Sequence, residues 1–179
     1  MSSLINSYDR VANSRKFPMQ RPLTLDGTQT GNNKMNVDGS TTPVEFYFQA
    51  DTSRSVHINK ISFLIGDVTN SNFESYGSLL GPLTNGITLY SIIGGVEIPL
   101  NALFKRTADY LGAGAEVQFV ELTGNTRMAN YSLNLFEYSE GVILDGNKDE
   151  ILGLRINDDL TSLDLHEAYI DGYFQIEDF

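Results

Sequence analysis

The feature that most constrains this chain is the alternation of apolar and polar residues in short runs from residue 43 onward, punctuated by Gly, Asn and Asp. In "PVEFYFQA", Val44, Phe46, Phe48 and Ala50 fall on one side, and Glu45, Tyr47 and Gln49 on the other. Only an extended strand turns that spacing into one buried and one outer face. In "SVHINKISFLIGD" the apolar parity switches from Val56 and Ile58 to Ile61, Phe63 and Ile65, so a β-bulge near Asn59 and Lys60 is expected to restore one continuous face. Asn85-Gly86 introduces the strand "ITLYSII", and Gly94-Gly95 joins it to "VEIPL" as a hairpin. That second strand is expected to bury Val96, Ile98 and Leu100, with Pro99 marking a sheet edge. "EVQFVEL", "YSLNLFEY", "EILGLRIND" and "HEAYIDGYFQI" complete a set of about eight strands.

Turn-separated strands with few helices predict an all-β fold, an antiparallel jelly-roll-like β-sandwich. Two short helices are expected as interruptions. One has Ser71 and Glu74 at capping-box spacing; the other starts at an Asn101 cap, buries Leu103, Phe104, Thr107, Ala108 and Leu111, and ends at Gly112. In the last strand Ala168, Ile170, Phe174 and Ile176 share one face, while Glu167, Tyr169, Asp171, Tyr173 and Gln175 make an aromatic and acidic outer face.

Residues 1–42 differ in composition. They are rich in Ser, Asn, Thr, Gln and Gly with scattered apolar residues, and cannot build a core alone. The chain therefore divides into an extended polar arm over residues 1–42 and a sandwich over 43–179, and removal of residues 1–24 is expected to leave a folded body. Charge divides the same way: Arg10, Arg15, Lys16 and Arg21 against Asp9 give residues 1–25 a net +3, so the total of −11 leaves −14 to the rest. An acidic body disfavours nucleic acid and anionic membrane as partners, whereas the arm suits an acidic protein surface, including another copy of the body. The chain has 179 residues, enough for one self-sufficient core, and no cysteine, which excludes disulfides, thiolate metal sites and a cysteine nucleophile. No apolar run matches a membrane helix or a signal-peptide core, so a soluble product made inside the cell, in the cytoplasm, is expected.

Motifs for chemistry are weak. His57 and His166 read as surface or interface residues. "GSLLG" has the wrong spacing for a nucleophile elbow, and "LGAGAEV" lacks the third glycine of a dinucleotide fingerprint. Asp145, Asn147 and Asp149 start like a calcium loop, but Glu150 and Ile156 break the pattern; a different cation site using Asp158 or Asp159 is the remaining possibility. No catalytic residue, metal ligand or cofactor is assigned, and no enzymatic activity is expected.

What remains is surface. Tyr47, Tyr90, Tyr169 and Tyr173 on outer strand faces suit either sugar stacking or subunit contacts, and the absence of tryptophan favours contacts. The segments "HINKISFLIGD", "LTNGITLY" and "INDDLTSLDLHEAYIDGYF" resemble, in order and spacing, the small jelly-roll capsid decoration or cement proteins of tailed bacteriophages, over residues 44–176. The resemblance implies a virion structural protein on the outer capsid surface, a homo-oligomer whose partners are the major capsid protein or other virion proteins. The residues expected to bind partners are Arg10, Arg15, Lys16, Phe17, Arg21, Tyr47, Tyr169 and Tyr173. A neck or tail location and a carbohydrate-binding host-attachment module are the alternatives.

Overall fold

The computed structural model of the protein describes residues 15–52, 54–67, 75–76, 79, 81–121, 127–135 and 141–176. Two antiparallel sheets face each other. The first contains β1 (Arg15–Pro22), β10 (Leu165–Ile176), β3 (Ser55–Asp67), β7 (Arg127–Asn134) and β6 (Glu116–Glu121) in that order, with β8 (Val142–Asp145) also paired to β3. The second runs β2 (Val44–Gln49), β9 (Ile151–Ile156), β4 (Ile87–Ile93), β5 (Val96–Phe104).

The pairing is nested: β1 with β10, β2 with β9, β3 with β7 and β4 with β5. The nested pairs make a rolled antiparallel hairpin with its tip at β4–β5; β1 to β4 alternate between the sheets, as do β8 to β10, while β6 to β8 all lie in the first, a jelly-roll-like arrangement. The expected all-β sandwich stands, with ten strands among the described residues. The two that sequence reading did not find are β1 and β8. Each carries little alternation of its own: "RKFPMQRP" is interrupted by two prolines, and "VILD" is four residues long.

The inner faces supply a continuous core that includes Phe46, Ile58, Ile61, Phe63, Ile87, Leu154 and Ile170, all fully buried. Each such side chain contributes roughly 1.5–3 kcal/mol relative to exposure. The parity switch in β3 is resolved as expected. Asp171 pairs with Lys60 and Gly172 with Ile58, so Asn59 is the extra residue, and Val56, Ile58, Ile61, Phe63 and Ile65 are all buried. At the β4–β5 turn Gly94 and Gly95 both take positive φ (59° and 77°), the requirement of a tight two-residue hairpin.

Four expectations need correction. Residues 15–42 are built into the sandwich: β1 pairs along its whole length with β10, and Leu23 and Met35 are fully buried. Leu23 N donates to Ala168 O (2.9 Å) in the first sheet, while the next residue, Thr24, exchanges backbone bonds with Tyr47 (3.0 and 2.9 Å) in the second. This stretch lacks a periodic apolar pattern because it crosses from sheet to sheet, so few of its residues face the core. A deletion that spares the fold must therefore stop before Arg15.

The helix expected from Asn101 starts later. Residues 101–104 end β5, where Leu103 and Phe104 pair with Thr88 and Ile87, and α1 covers only Thr107–Gly112. Strand pairing satisfies the backbone that the helix would have used, and Leu103 is left half exposed. The Asp109 carboxylate accepts from Lys105 N (2.6 Å) and Arg106 N (2.8 Å), which fixes the actual helix start.

Val96 and Ile98 keep the inward parity but are 62% and 40% exposed, because β5 is an edge strand and its turn end lies past the last β9 partner of β4. His166 is fully buried rather than superficial. The other expected helix begins at residues 71–74, outside the described residues.

Candidate interaction surface

β1 forms one lateral edge of the first sheet, and its two sides carry different chemistry. On the outer side Tyr173 lies between two groups: its ring stacks on His57 (centroids 4.6 Å apart, planes 10° apart), and Lys16 Nζ sits 4.6 Å from its centroid. On the inner side Phe17, 38% exposed, stacks on Phe174 at 5.1 Å, and the Arg54 guanidinium lies 4.9 Å from the Phe174 ring. Cross-strand register produces both stacks, since Tyr173 is opposite His57 and Phe174 is opposite Phe17. Cation–π contacts of this kind contribute about 0.5–1 kcal/mol at exposed sites and hold the cations over the aromatic faces.

Between the sheets at this edge is a shallow notch lined by Met19, Arg21, Phe48, Asp51, Arg54 and Phe174 among others. Arg21 Nη1 donates to Gln20 O (2.8 Å), and Arg21 Nε is buried with no acceptor among the described residues. Arg54 lies 3.7 Å from Asp51 across an exposed pair. Two guanidinium groups over an aromatic floor can accept a carboxylate by charge-assisted hydrogen bonds.

Of the residues expected to bind partners, the fold brings Lys16, Phe17, Arg21 and Tyr173 to this one edge. Arg15 opens β1 opposite Ile176. Arg10 lies outside the described residues. Tyr47 and Tyr169 go elsewhere, and both are half-buried by the chain's own residues 24–33. The Tyr47 ring packs against Gly27, whose positive φ (71°) and missing Cβ permit the approach. Tyr169 donates from its hydroxyl to Glu167 (2.6 Å) and accepts from Asn33 Nδ2 (3.1 Å); burial first, then the Glu167 carboxylate, push its pKa up to about 12. Arg54 was not singled out from sequence. It lies in a short polar link between β2 and β3, with no signal that would set it over Phe174.

The second sheet's outer face holds a closed charge cluster. Arg155 contacts Glu45 (2.8 Å) and Glu97 (3.1 Å) and lies over the Tyr90 ring at 4.6 Å. The two carboxylates hold the Arg155 pKa above its ordinary value, and Arg155 holds that of Glu97 below the usual range.

The acids considered for calcium are engaged in holding backbone. Asp158 accepts from Thr84 N (3.2 Å), Asn85 N (2.9 Å) and Gly86 N (2.5 Å), and Asp159 accepts from Thr161 N (3.0 Å). Asp145 caps the 3-10 turn at Gly146–Lys148 by accepting from Asn147 N, and it pairs with Lys148. Buried Glu150 ties Gly94 N (3.0 Å) to Asp145 N (2.8 Å). Among the described residues no group of three His, Asp or Glu side chains could hold a metal ion.

His166 belongs to a buried aromatic cluster. Tyr76 Oη lies 2.7 Å from both His166 Nε2 and Tyr110 Oη, and Tyr110 packs on Phe63, Phe104 and Tyr131. Burial pushes the His166 pKa down to about 4, so the ring is neutral at pH 7, and burial also raises the pKa of Tyr76 and Tyr110. Its parity carried the signal, because His166 shares the even register of Ala168 and Ile170. No helix among the described residues is long and apolar enough to cross a membrane. No protein-family model, curated protein or solved structure matches the chain.

Proposed function

We propose that this is a structural virion protein that decorates and cements a bacteriophage capsid, docking its β1 edge on an acidic surface of a capsid subunit. The observation that carries the reading is the gathering of Lys16, Arg21 and Arg54 around Phe17, Phe174 and Tyr173 on a chain of net charge −11. A cationic, aromatic edge on an acidic molecule selects an acidic partner and repels the flanks of a misaligned copy. Aromatic and arginine side chains are also those that dominate protein contacts. The strand-pattern resemblance supplies the capsid as the partner. The sugar-binding alternative has less support, because the four tyrosines that would form a platform are covered by Gly27, Arg155, Glu167 with Asn33, or Lys16 with His57.

Co-sedimentation of the purified protein with capsids that lack it tests the proposal. Saturable binding is expected, weakened about tenfold or more by Arg21→Gln with Arg54→Gln, and weakened by raising salt from 0.05 to about 0.5 M as the surface charges are screened. Capsids that take up none of the protein, or take up the double variant equally well, would refute it.

A further inference from the structure

The notch at the β1 edge holds a donor that lacks an acceptor. Arg21 stands opposite Ile170 on β10, and its Nη1 donates to the Gln20 carbonyl (2.8 Å), which orients the guanidinium plane. Its Nε is buried with no acceptor, so among the described residues the edge carrying Nε and Nη2 is unused. That edge presents two parallel N–H groups at the spacing of the two oxygens of a carboxylate. A buried donor without an acceptor destabilises the free protein, and an arriving acceptor removes that cost.

The other lining residues limit which acceptor fits. Arg54 lies over the Phe174 ring at 4.9 Å and approaches Asp51 only to 3.7 Å, in an exposed pair. The lining carries +2 from Arg21 and Arg54 and −1 from Asp51, a formal net of +1. One monoanion brings that sum to zero, whereas a dianionic phosphate would leave an excess negative charge beside Asp51. Met19 and Phe48 are buried and Phe174 is half-buried, and they give the notch apolar walls. A carboxylate on a methylene stem can pack that stem on these walls while its head reaches the recessed Nε. Glutamate has one methylene more than aspartate for the purpose.

We infer that the notch is a socket for one glutamate side chain of a partner protein, held side-on by the Nε–Nη2 edge of Arg21 with Arg54 as the second cation. The inference rests on the docking proposed above and names the group on the partner that enters this edge. A small tilt of the Arg21 guanidinium uncovers Nε to admit it. Arg21 supplies the fork geometry, and Arg54 supplies charge from the solvent side.

The test follows the arginine Nε–H resonances of the isotope-labelled full chain by NMR while N-acetyl-glutamate methylamide is added. The Arg21 signal, assigned by its loss in Arg21→Lys, is expected to move downfield and saturate. Inorganic phosphate should bind more weakly, and Asp51→Asn, which raises the lining to +2, should shift the preference toward phosphate about tenfold. Arg21→Lys keeps the charge and loses the fork, so it should weaken the probe about tenfold, read from neighbouring amides. Because replacing Arg21 could disturb β1, Arg54→Gln at an exposed position is the second variant; it should weaken the probe several-fold while the Arg21 signal still responds. An Arg21 signal unmoved by the probe at about 0.1 M, or phosphate binding as tightly as the probe, would overturn the socket. In co-sedimentation, capsids that take up Arg21→Lys as well as the unaltered chain would also overturn it and leave cementing standing. A saturating Arg21 shift without uptake by capsids keeps the socket and removes the capsid as its partner.

Discussion

The two lateral ends of the sandwich solve the same problem in opposite ways. At the β1–β2 end the chain seals itself: prolines remove donors from β1, Thr24–Gly27 covers β2, and Leu23 and Met35 fill the gap between sheets. At the β5–β6 end α1 packs against β5 and β7, and β6 pairs with β7 in unbroken register with no proline in it. The sealed end gathers the cations Lys16, Arg21 and Arg54, whereas the other end mixes Glu97, Asp109 and Glu116 with Lys105 and Arg106. Sealing an edge removes hydrogen-bond recognition and leaves charge and aromatic area to do the docking. A strand without proline keeps every backbone donor for pairing. The difference teaches that one fold can hold two contact modes apart by where it spends proline.

The largest effect should come from cutting into the sealed end. Deleting residues 1–24 removes β1 and Leu23, and Leu23→Ala alone should cost about 2–5 kcal/mol. Loss of the strand is therefore expected to exceed a typical total stability of about 5–15 kcal/mol, read as loss of the cooperative urea transition, whereas deletion of residues 1–14 keeps it. A 1–24 deletion that still unfolds cooperatively would show that the sandwich closes without β1.

Acidification should loosen the same end next, because Met35 N is anchored on His166 O (2.7 Å). The His166 pKa is about 4 folded against 6.5 as a reference, so between these values the unfolded chain binds more protons. Its contribution is fully present above pH 6.5 and is lost as pH falls toward 4, by about 3 kcal/mol. Urea midpoints at pH 7 and 4.5, compared with those of His166→Gln, isolate this component; equal pH sensitivity in the variant would assign it elsewhere.

Pro18→Ala with Pro22→Ala should convert the sealed edge toward the proline-free kind. Folding stability is expected to shift by no more than about 1 kcal/mol, while self-association measured by light scattering should rise. Unchanged association would mean that the prolines are not the obstruction. The smallest effect is expected on the second sheet, where Glu97→Gln leaves Arg155 paired with Glu45. For so exposed a group the loss should stay below about 1 kcal/mol in thermal unfolding at low salt. A larger loss would make the cluster a structural clamp.

Much of the fold was legible because strand periodicity is local. Residues 44–50, 55–67 and 165–176 each announce a face, and even the bulge at Asn59 follows from a parity change within one strand. β1 was not legible, since Pro18 and Pro22 interrupt its pattern for the sake of an edge that exists only after β10 has paired with it. The candidate surface was half legible: Lys16, Phe17, Arg21 and Tyr173 meet, but Arg54 joins them through a rotamer over Phe174, and Tyr47 and Tyr169 are covered by Gly27 and Asn33, twenty or more positions away. Helix and strand compete at residues 101–104, and pairing with β4 decides the outcome.

By itself the sequence determined the class of fold, the inward set of most strands, the β4–β5 hairpin at Gly94-Gly95 and the separation of basic from acidic segments. Those properties depend on side chains near one another along the chain. The tertiary structure decided that residues 15–42 belong to the core, that His166 is sealed and neutral, and that the β1 and β2 edges are closed. Each of these depends on a hydrogen bond or a covering residue supplied from far along the chain, and a linear pattern carries no record of that partner.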